Sequence, residues 1–459
     1  MNDGRPAVWA ALSKLSIYVA LYCVTAGIIF SVFALNPEES TQFEVFRILI
    51  ISCAMVLLTK YFFYMLISPW YEAKVLYRRS RKSEAAAAEK SYPRVSVLVP
   101  AWNEEYGVIT TVGALLESTY KNMEIIVINN ASTDNTDENV MQLLRNHQDK
   151  KEGGPQREID LKYYIENIQG KGHALNRGIR EATGDIIVSI DADCFVPKDT
   201  IERFVSYFDD PGVMAVVGNV KIGNTGTILG VIQYLEYLFS FYFKKGEALI
   251  NSIYIIGGAA GAFRKEVFEK LGGYNTENIT EDIELSVRIQ DAGMKIAYAP
   301  DGVVYTEGAN DLQGLMRQRL RWKRGRFDTF RQHKQMFFST SKKHNKVLSW
   351  IVMPLAIFGD IQLSFELLFI FFLYIFSYFV NDFSSFISGI VVVSSMFAIQ
   401  ILFDQHRKSR VKFLLLAPIG WLLFYVSTFV ESNALIRTIT GHLSGTSLKW
   451  QNWSRRGVF

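Results

Sequence analysis

Asp185-Ile186-Ile187-Val188-Ser189-Ile190-Asp191-Ala192-Asp193 decides the fold. A short apolar, β-branched run of this kind reads as a strand buried on both faces, and it ends abruptly in two carboxylates one residue apart. Upstream, Arg94-Val95-Ser96-Val97-Leu98-Val99-Pro100 and Met123-Glu124-Ile125-Ile126-Val127-Ile128-Asn129-Asn130 repeat the pattern of apolar run followed by polar cluster. Helical stretches over about 107–118, 135–146 and 172–182 alternate with these runs and with a further strand at 160–165. Strand, helix, strand in this rhythm predicts an α/β fold with a mostly parallel sheet. Such sheets bind ligands beyond the carboxyl ends of their strands, which is where the polar clusters fall.

Outward from this core the chain changes character. Of 459 residues 49% are hydrophobic, and that fraction is concentrated toward the two ends. Apolar runs over 15–35, 46–67, 352–380, 385–403 and 412–431 are each of a length to cross a bilayer. Three regions follow: 1–90 with two spans and a basic linker, 91–345 with soluble α/β composition, and 346–459 with interfacial or transmembrane helices and a tail. Acidic Glu38 and Glu39 lie between the first two spans, whereas Lys74, Arg78, Arg79, Arg81 and Lys82 follow the second. The positive-inside rule then places the central domain in the cytosol of a multi-pass protein of the cell membrane. Five spans would leave the basic tail outside, so either the tail lies outside despite its charge or one segment is re-entrant or lies along the interface. Pro354, Asp360 and Glu366 make 346–380 the place for it.

The net charge of +4 excludes nucleic-acid binding as the principal role. Cys23, Cys53 and Cys194 are too few for a disulfide framework or a cysteine-rich zinc site. The chemistry therefore rests on carboxylates, amides and basic side chains. Asp191 and Asp193 can hold Mg²⁺ or Mn²⁺ against phosphate oxygens, although a lone pair of this kind is as often a solvated turn. Lys171, between Gly170 and Gly172, sits in a loop able to approach an anion. Gly257-Gly258-Ala259-Ala260-Gly261 offers a compact backbone for close approach to a sugar, or simply for tight packing. Thr280-Glu281-Asp282 opens a helix, with Thr280 as its cap. Its carboxylates either complement the helix dipole or present Asp282 as a base toward the crevice. Finally, Gln318-Arg319-Leu320-Arg321-Trp322 lies among further basic residues. An arginine fork suits a diphosphate and an indole face suits a sugar ring.

Taken in order, Asp-Ala-Asp, Thr-Glu-Asp and Gln-Arg-Leu-Arg-Trp resemble the motifs of the family 2 glycosyltransferases of GT-A fold. More narrowly, the chain looks like the membrane-bound processive β-polysaccharide synthases, and in particular the bacterial poly-β-1,6-N-acetylglucosamine synthases. Val217-Gly218-Asn219, Ala262-Phe263-Arg264 and Ile279-Thr280-Glu281-Asp282-Ile283 carry that narrower likeness. The resemblance implies a nucleotide-sugar donor bound at Pro100, Asn103, Glu104, Asn130, Lys171 and Asp191, and a divalent metal at Asp191 and Asp193. It implies Asp282, beside Glu281, as the general base of an inverting transfer. Gln318, Arg319, Arg321 and Trp322, with Gly257 and Gly258, would serve the diphosphate and the acceptor. The acceptor is then a growing polysaccharide exported through the bilayer, and a small membrane accessory subunit is a further partner by analogy. Two other functions are weighed against this: single transfer to a lipid, giving a glycolipid, and a non-enzymatic accessory role. Asn129-Asn130 stands where many relatives carry acidic residues, which loosens the assignment of UDP as the donor nucleotide.

Overall fold

The computed structural model describes residues 59–77, 92–152, 159–404 and 413–445. The chain divides into two compact units. One comprises Lys90–Tyr237, Asn251–Ile351 and Arg437–Phe459, and the other Met1–Glu89, Leu238–Ile250 and Val352–Ile436.

The first unit is built on an eight-stranded sheet: β1 (Val95–Ala101), β2 (Met123–Asn129), β3 (Asp160–Ile165), β4 (Ile186–Ser189), β5 (Cys194–Phe195), β6 (Val213–Ile222), β7 (Gly261–Arg264) and β8 (Lys295–Thr306). The spatial order is β3-β2-β1-β4-β7-β6-β8-β5. Pairings β3-β2-β1-β4 are all parallel. Beyond them β7 runs antiparallel between β4 and β6, β6 and β8 are parallel, and the short β5 closes the edge antiparallel to β8. The sheet is thus parallel in its first half and mixed in its second, with four of its seven pairings parallel. Periodicity in the chain carries no sign of strand direction, so the antiparallel insertion of β7 was not legible in it.

β1, β2 and β4 are nearly continuous apolar runs because both faces are covered. Leu98, Ile125, Ile126, Ile128, Ile186 and Ile187 are among the most deeply buried side chains. The helix Lys171–Glu181 buries Gly172, Ala174, Leu175 and Gly178. Gly178 permits its close approach, since a Cβ there would lie 2.9 Å from Ile128 Cδ1 and 3.0 Å from Leu98 Cδ2. That contact fixes the start of the helix, and with it Lys171, above the carboxyl ends of β1 and β2.

The sheet also contains a buried charge that its apolar pattern conceals. Glu124, fully buried in β2, accepts from Ser96 Oγ at 2.6 Å and from the Thr183 N–H at 2.7 Å, and pairs with Lys162 Nζ at 2.6 Å. Burial alone would raise this carboxyl, but these partners outweigh it and hold it down at about 2.

The second unit is helical among its described residues. A helix over 59–77 continues well past the predicted limit at Ile67. Tyr64 and Met65 pack with Tyr242, Phe243, Val392, Met396, Ile399 and Phe403. Helices Met353–Val380 and Ser384–Leu402 occupy the apolar runs at 352–380 and 385–403. Pro354 sits in the first turn of its helix, where its missing N–H costs nothing. The expected span at 412–431 is displaced: a 3₁₀ turn at Ala417–Ile419, containing Pro418, precedes a helix over Gly420–Leu443. Among the described residues one helical stretch, Ala417–Leu443, meets the length and apolarity needed to cross a membrane. The span expected at 15–35 and most of that at 46–67 lie outside the described residues.

Candidate active site

Four predicted residues from three separate motifs converge beyond the carboxyl ends of the central strands. Lys171 Nζ lies 2.5 Å from Asp191 Oδ1 and 3.6 Å from Glu281 Oε1. Asp282 Oδ2 accepts the Gly258 N–H at 2.8 Å, while its Oδ1 accepts the N–H of Ile283 at 2.8 Å. Gly258 is thereby explained. A Cβ there would stand 2.5 Å from the Lys171 ammonium and 3.2 Å from Asp282 Oδ2, so the glycine is what lets the flexible end of Lys171 take this seat. Gly257 carries no such restriction, with open space where its Cβ would lie.

The local folding that aims Asp282 is itself specific. Thr280 occupies the cap position of the helix Glu281–Asp291, but its side chain makes no capping bond and turns back to Asn278 Oδ1 at 3.2 Å. The predicted capping role therefore passes to Asp282, which satisfies the N–H of Ile283 in the first turn. Ser286 Oγ donates to the Asp282 carbonyl at 2.5 Å and accepts the Ile256 N–H at 2.9 Å. This links the first helical turn to the backbone that presents Gly258.

The electrostatics follow from crowding of like charges. Burial lifts the Glu281 carboxyl to about 7; the Lys171 and Arg321 charges oppose this, and the Asp282 carboxylate adds to it. Lys171 is subject to the opposite balance. Burial lowers its ammonium, but Asp191, Glu281 and Asp282 together raise it above the ordinary lysine range. The site thus holds a permanent cation among carboxylates, one of which holds its proton up to about neutrality.

The Asp191-Ala192-Asp193 turn is pinned from the side. Thr111 Oγ1 donates to the carbonyl of Ala192 at 2.8 Å and lies 2.7 Å from that of Cys194, while accepting the Cys194 N–H at 3.1 Å. Gly107, at the start of the same helix, leaves room for Ala192, whose oxygen would be 2.6 Å from a Cβ. Asp193 is buried, and its Oδ2 accepts from Thr306 Oγ1 at 3.4 Å. Hard carboxylate oxygens of this kind fit Mg²⁺ or Mn²⁺. Among the described residues no group of three or more His, Cys, Asp or Glu side chains could enclose a metal. The donor set therefore fits an ion that takes one or two carboxylates and completes its shell with phosphate and water.

The other predicted donor-site residues lie in β1 and in the loops that follow β1 and β2. Pro100 is in β1 opposite Ile128. Asn103, at a φ of +54°, accepts the Thr133 N–H at 2.8 Å and donates its own N–H to Ser132. Glu104 donates its N–H to Thr136 Oγ1 at 2.9 Å. Asn130 is occupied by the backbone: its amide donates to the carbonyls of Glu166 and Ile168 and accepts the Gly170 N–H at 2.7 Å. It thus shapes the loop that leads into Lys171.

The helix Leu312–Gln332 carries the remaining motif. Gln318 is buried with Oε1 making no hydrogen bond, and Arg321 acts on Glu281 through its charge. Arg319 is 3% exposed; it pairs with Glu236 at 2.9 Å and lays its guanidinium 4.2 Å from the Trp322 ring centroid. It supports Trp322 from within the fold. Tyr237 adds a second ring 6.5 Å from that indole. The helix approaches Thr280 so closely at Gly325 that a Cβ would fall 2.0 Å from Thr280 Oγ1. Gly107, Thr111, Glu236, Ser286 and Gly325 were missed by sequence reasoning. Only the glycine at 325, within an otherwise good helix, gave a signal.

A mixed sheet with an acidic turn, a carboxylate-capped helix and an arginine-tryptophan helix at its carboxyl edge defines a nucleotide-sugar-dependent transferase of the GT-A type. The comparisons agree: residues 93–325 match the model described as glycosyltransferase like family 2, and the chain belongs to that family. It is 32% identical over 251 residues to the poly-β-1,6-N-acetyl-D-glucosamine synthase of Staphylococcus aureus strain COL, covering 54% of this chain and 57% of that protein. The corresponding synthase of Staphylococcus epidermidis is 32% identical over 234 residues, covering 50% and 54% respectively. The chain thus spans about half the length of the curated relatives it matches. Among solved structures, a mannosyltransferase from Pyrobaculum calidifontis, in complex with GDP-Man and Mn²⁺, superimposes with a TM-score of 0.51 at 19% identity. It covers 84% of this chain and 99% of its own, a likeness of fold.

Proposed function

We propose that this family 2 glycosyltransferase transfers N-acetylglucosamine from its UDP derivative to a growing β-linked polysaccharide, with inversion and with Mg²⁺ or Mn²⁺. The observation that carries the proposal is the meeting of Lys171, Asp191, Glu281 and Asp282 at one point beside Gly258. The likeness to the staphylococcal synthases supports the choice of sugar. In the reaction, the acceptor hydroxyl oxygen bonds to the anomeric carbon as the bond to the diphosphate breaks. Its proton passes to Asp282, which Gly258 and Ile283 hold by both oxygens. Lys171 and Arg321 offset charge gathering on the leaving diphosphate. Asp191 and Asp193 would hold the divalent cation, which supplies further neutralisation there. Trp322, backed by Arg319, stacks on the acceptor sugar.

We further read the second unit as a multi-pass membrane domain that passes the polymer across the cell membrane, the catalytic unit being cytosolic. Phe371, Tyr378, Phe379 and Leu415 are large apolar side chains that lie more than half exposed, as lipid contact would require. The test is turnover by the purified full-length chain in liposomes, with UDP-N-acetylglucosamine set against UDP-glucose and UDP-glucuronate, followed by sizing of the product. A high-mass polymer from the first donor alone, abolished in Asp282→Asn, is the expected result. A monoglycosylated lipid as the sole product would overturn the polymer reading.

A further inference from the structure

Lys171 bridges carboxylates that belong to two different jobs. Asp191, 2.5 Å away, is the residue assigned to the metal, while Glu281, 3.6 Å away, adjoins the proposed base. The side chain is 18% exposed, and the ammonium is backed by Gly258, where even a methyl group would stand 2.5 Å from Nζ. Two cations repel strongly in such a confined place, and one carboxylate oxygen cannot serve both at full strength. With two aspartates and, among the described residues, no enclosing cluster, the site offers a metal little with which to displace an ammonium already in place. A diphosphate changes the balance, because its oxygens give Lys171 another partner and give a metal further ligands.

We propose that Lys171 is a resident counter-ion that holds Asp191 against divalent metal until a nucleoside diphosphate draws the ammonium away. Metal and nucleotide then enter as a unit, and by reciprocity each strengthens binding of the other. The idea rests on the metal-dependent reading given above, and its test separates the two.

The experiment measures Mn²⁺ binding to the purified full-length protein from the free-ion signal in electron paramagnetic resonance, with and without UDP. Wild type, Lys171→Met and Gly258→Ala are compared. The wild type should bind Mn²⁺ roughly tenfold or more tightly once UDP is present, within the usual span of coupling. Lys171→Met removes the competing charge, and Gly258→Ala keeps the lysine but forces it off its seat. Both should bind Mn²⁺ about tenfold more tightly than wild type in the absence of nucleotide. Two variants of different kind keep the test open should one fail to fold. Nucleotide-free affinity unchanged or weakened in a folded variant, beside a wild type that binds Mn²⁺ with UDP, overturns the counter-ion role alone. Absence of Mn²⁺ binding to wild type even with UDP overturns the metal reading and this inference together.

Discussion

Gly325→Ala is the most informative single substitution, because it adds one methyl group at the contact between the two helices that build the site. The new Cβ would meet Thr280 Oγ1 at 2.0 Å, Cγ2 at 2.5 Å and Cβ at 2.7 Å. Rotating the threonine cannot relieve this, since its own Cβ is already too near. Ordinary contact begins at 3.4 Å, so the helices must part by as much as 1.4 Å, the difference between 3.4 and 2.0 Å. Thr280 immediately precedes Glu281 and Asp282, while Arg321 and Trp322 lie one turn before Gly325. A misplacement of about 1 Å costs on the order of 10²-fold in rate. Stability should change much less: overpacking costs about 1–3 kcal/mol, and the gain in helix propensity of alanine over glycine offsets about 1 kcal/mol of that. The expected outcome is a loss of sugar transfer of about a hundredfold with UDP binding retained and a modest fall in unfolding temperature. Replacing Thr280 by alanine as well should recover part of the activity, because two of the three clashing atoms are then gone. Full transfer activity in Gly325→Ala would refute the claim that this contact sets the site, as would a loss explained entirely by unfolding.

Three further outcomes are expected. Glu124→Gln leaves Lys162 and the Thr183 N–H without their anion and should cost about 3 kcal/mol, the low end for a broken buried pair because Lys162 is a third exposed. Its folded carboxyl is held at about 2, so this stabilisation is complete above the ordinary carboxylate range and fades as pH falls toward 2; denaturant unfolding at pH 7 and pH 3 should show the difference shrinking. Glu281 has the opposite sign: its raised carboxyl keeps a proton that the unfolded chain releases, so the wild type loses stability as pH rises from about 4.5 to about 7. Glu281→Gln should therefore raise the melting temperature more at pH 8 than at pH 5, and an equal effect at both would count against the assignment. Arg319→Lys keeps the charge facing Glu236 but loses the flat stack on Trp322. Its acceptor KM should rise roughly threefold to thirtyfold, the span of a cation–π contact, with the donor KM unchanged.

Much of this was legible in the chain, and the reason differs by element. The parallel half of the sheet announces itself because β1, β2 and β4 are buried on both faces and so become unbroken apolar runs. β7 and β8 carry glycine, proline and charge along their length, and nothing in that composition encodes an antiparallel turn. Charged motifs were visible as residue types, but their partners were not. Glu236 lies in a long helix with no acidic pattern to mark it, and it acquires meaning only because Arg319 reaches it from 83 residues away. Asn130 shows the converse. The resemblance places it at the donor nucleotide, and the chain gives no sign that the loop 166–170 also uses its amide to satisfy three backbone groups.

The same logic explains why so much buried charge surrounds one short helix. Glu281–Asp291 carries the proposed base at its start, and both of its ends are tied to the segment that follows the arginine-tryptophan motif. Buried His333, which caps the helix Leu312–Gln332, places Nε2 3.3 Å from Glu284 Oε1 and Nδ1 3.6 Å from Asp291 Oδ2. Arg288 returns from the other side, pairing with Glu284 at 2.8 Å and binding the carbonyls of Leu271 and Gly273. Asp291 is gripped in addition by Gln335, Lys343 and His344; burial pulls its carboxyl upward, but these partners prevail and hold it below the usual carboxylate range. An apolar contact between the helices would be as stable but free to slide, because dispersion has little direction. Hydrogen-bonded charges at both ends, with a glycine contact at Thr280, fix translation and rotation together. The proposed base and the proposed acceptor platform therefore hold one geometry, as the proposed displacement at the anomeric carbon would require of groups that do not bond to the substrate.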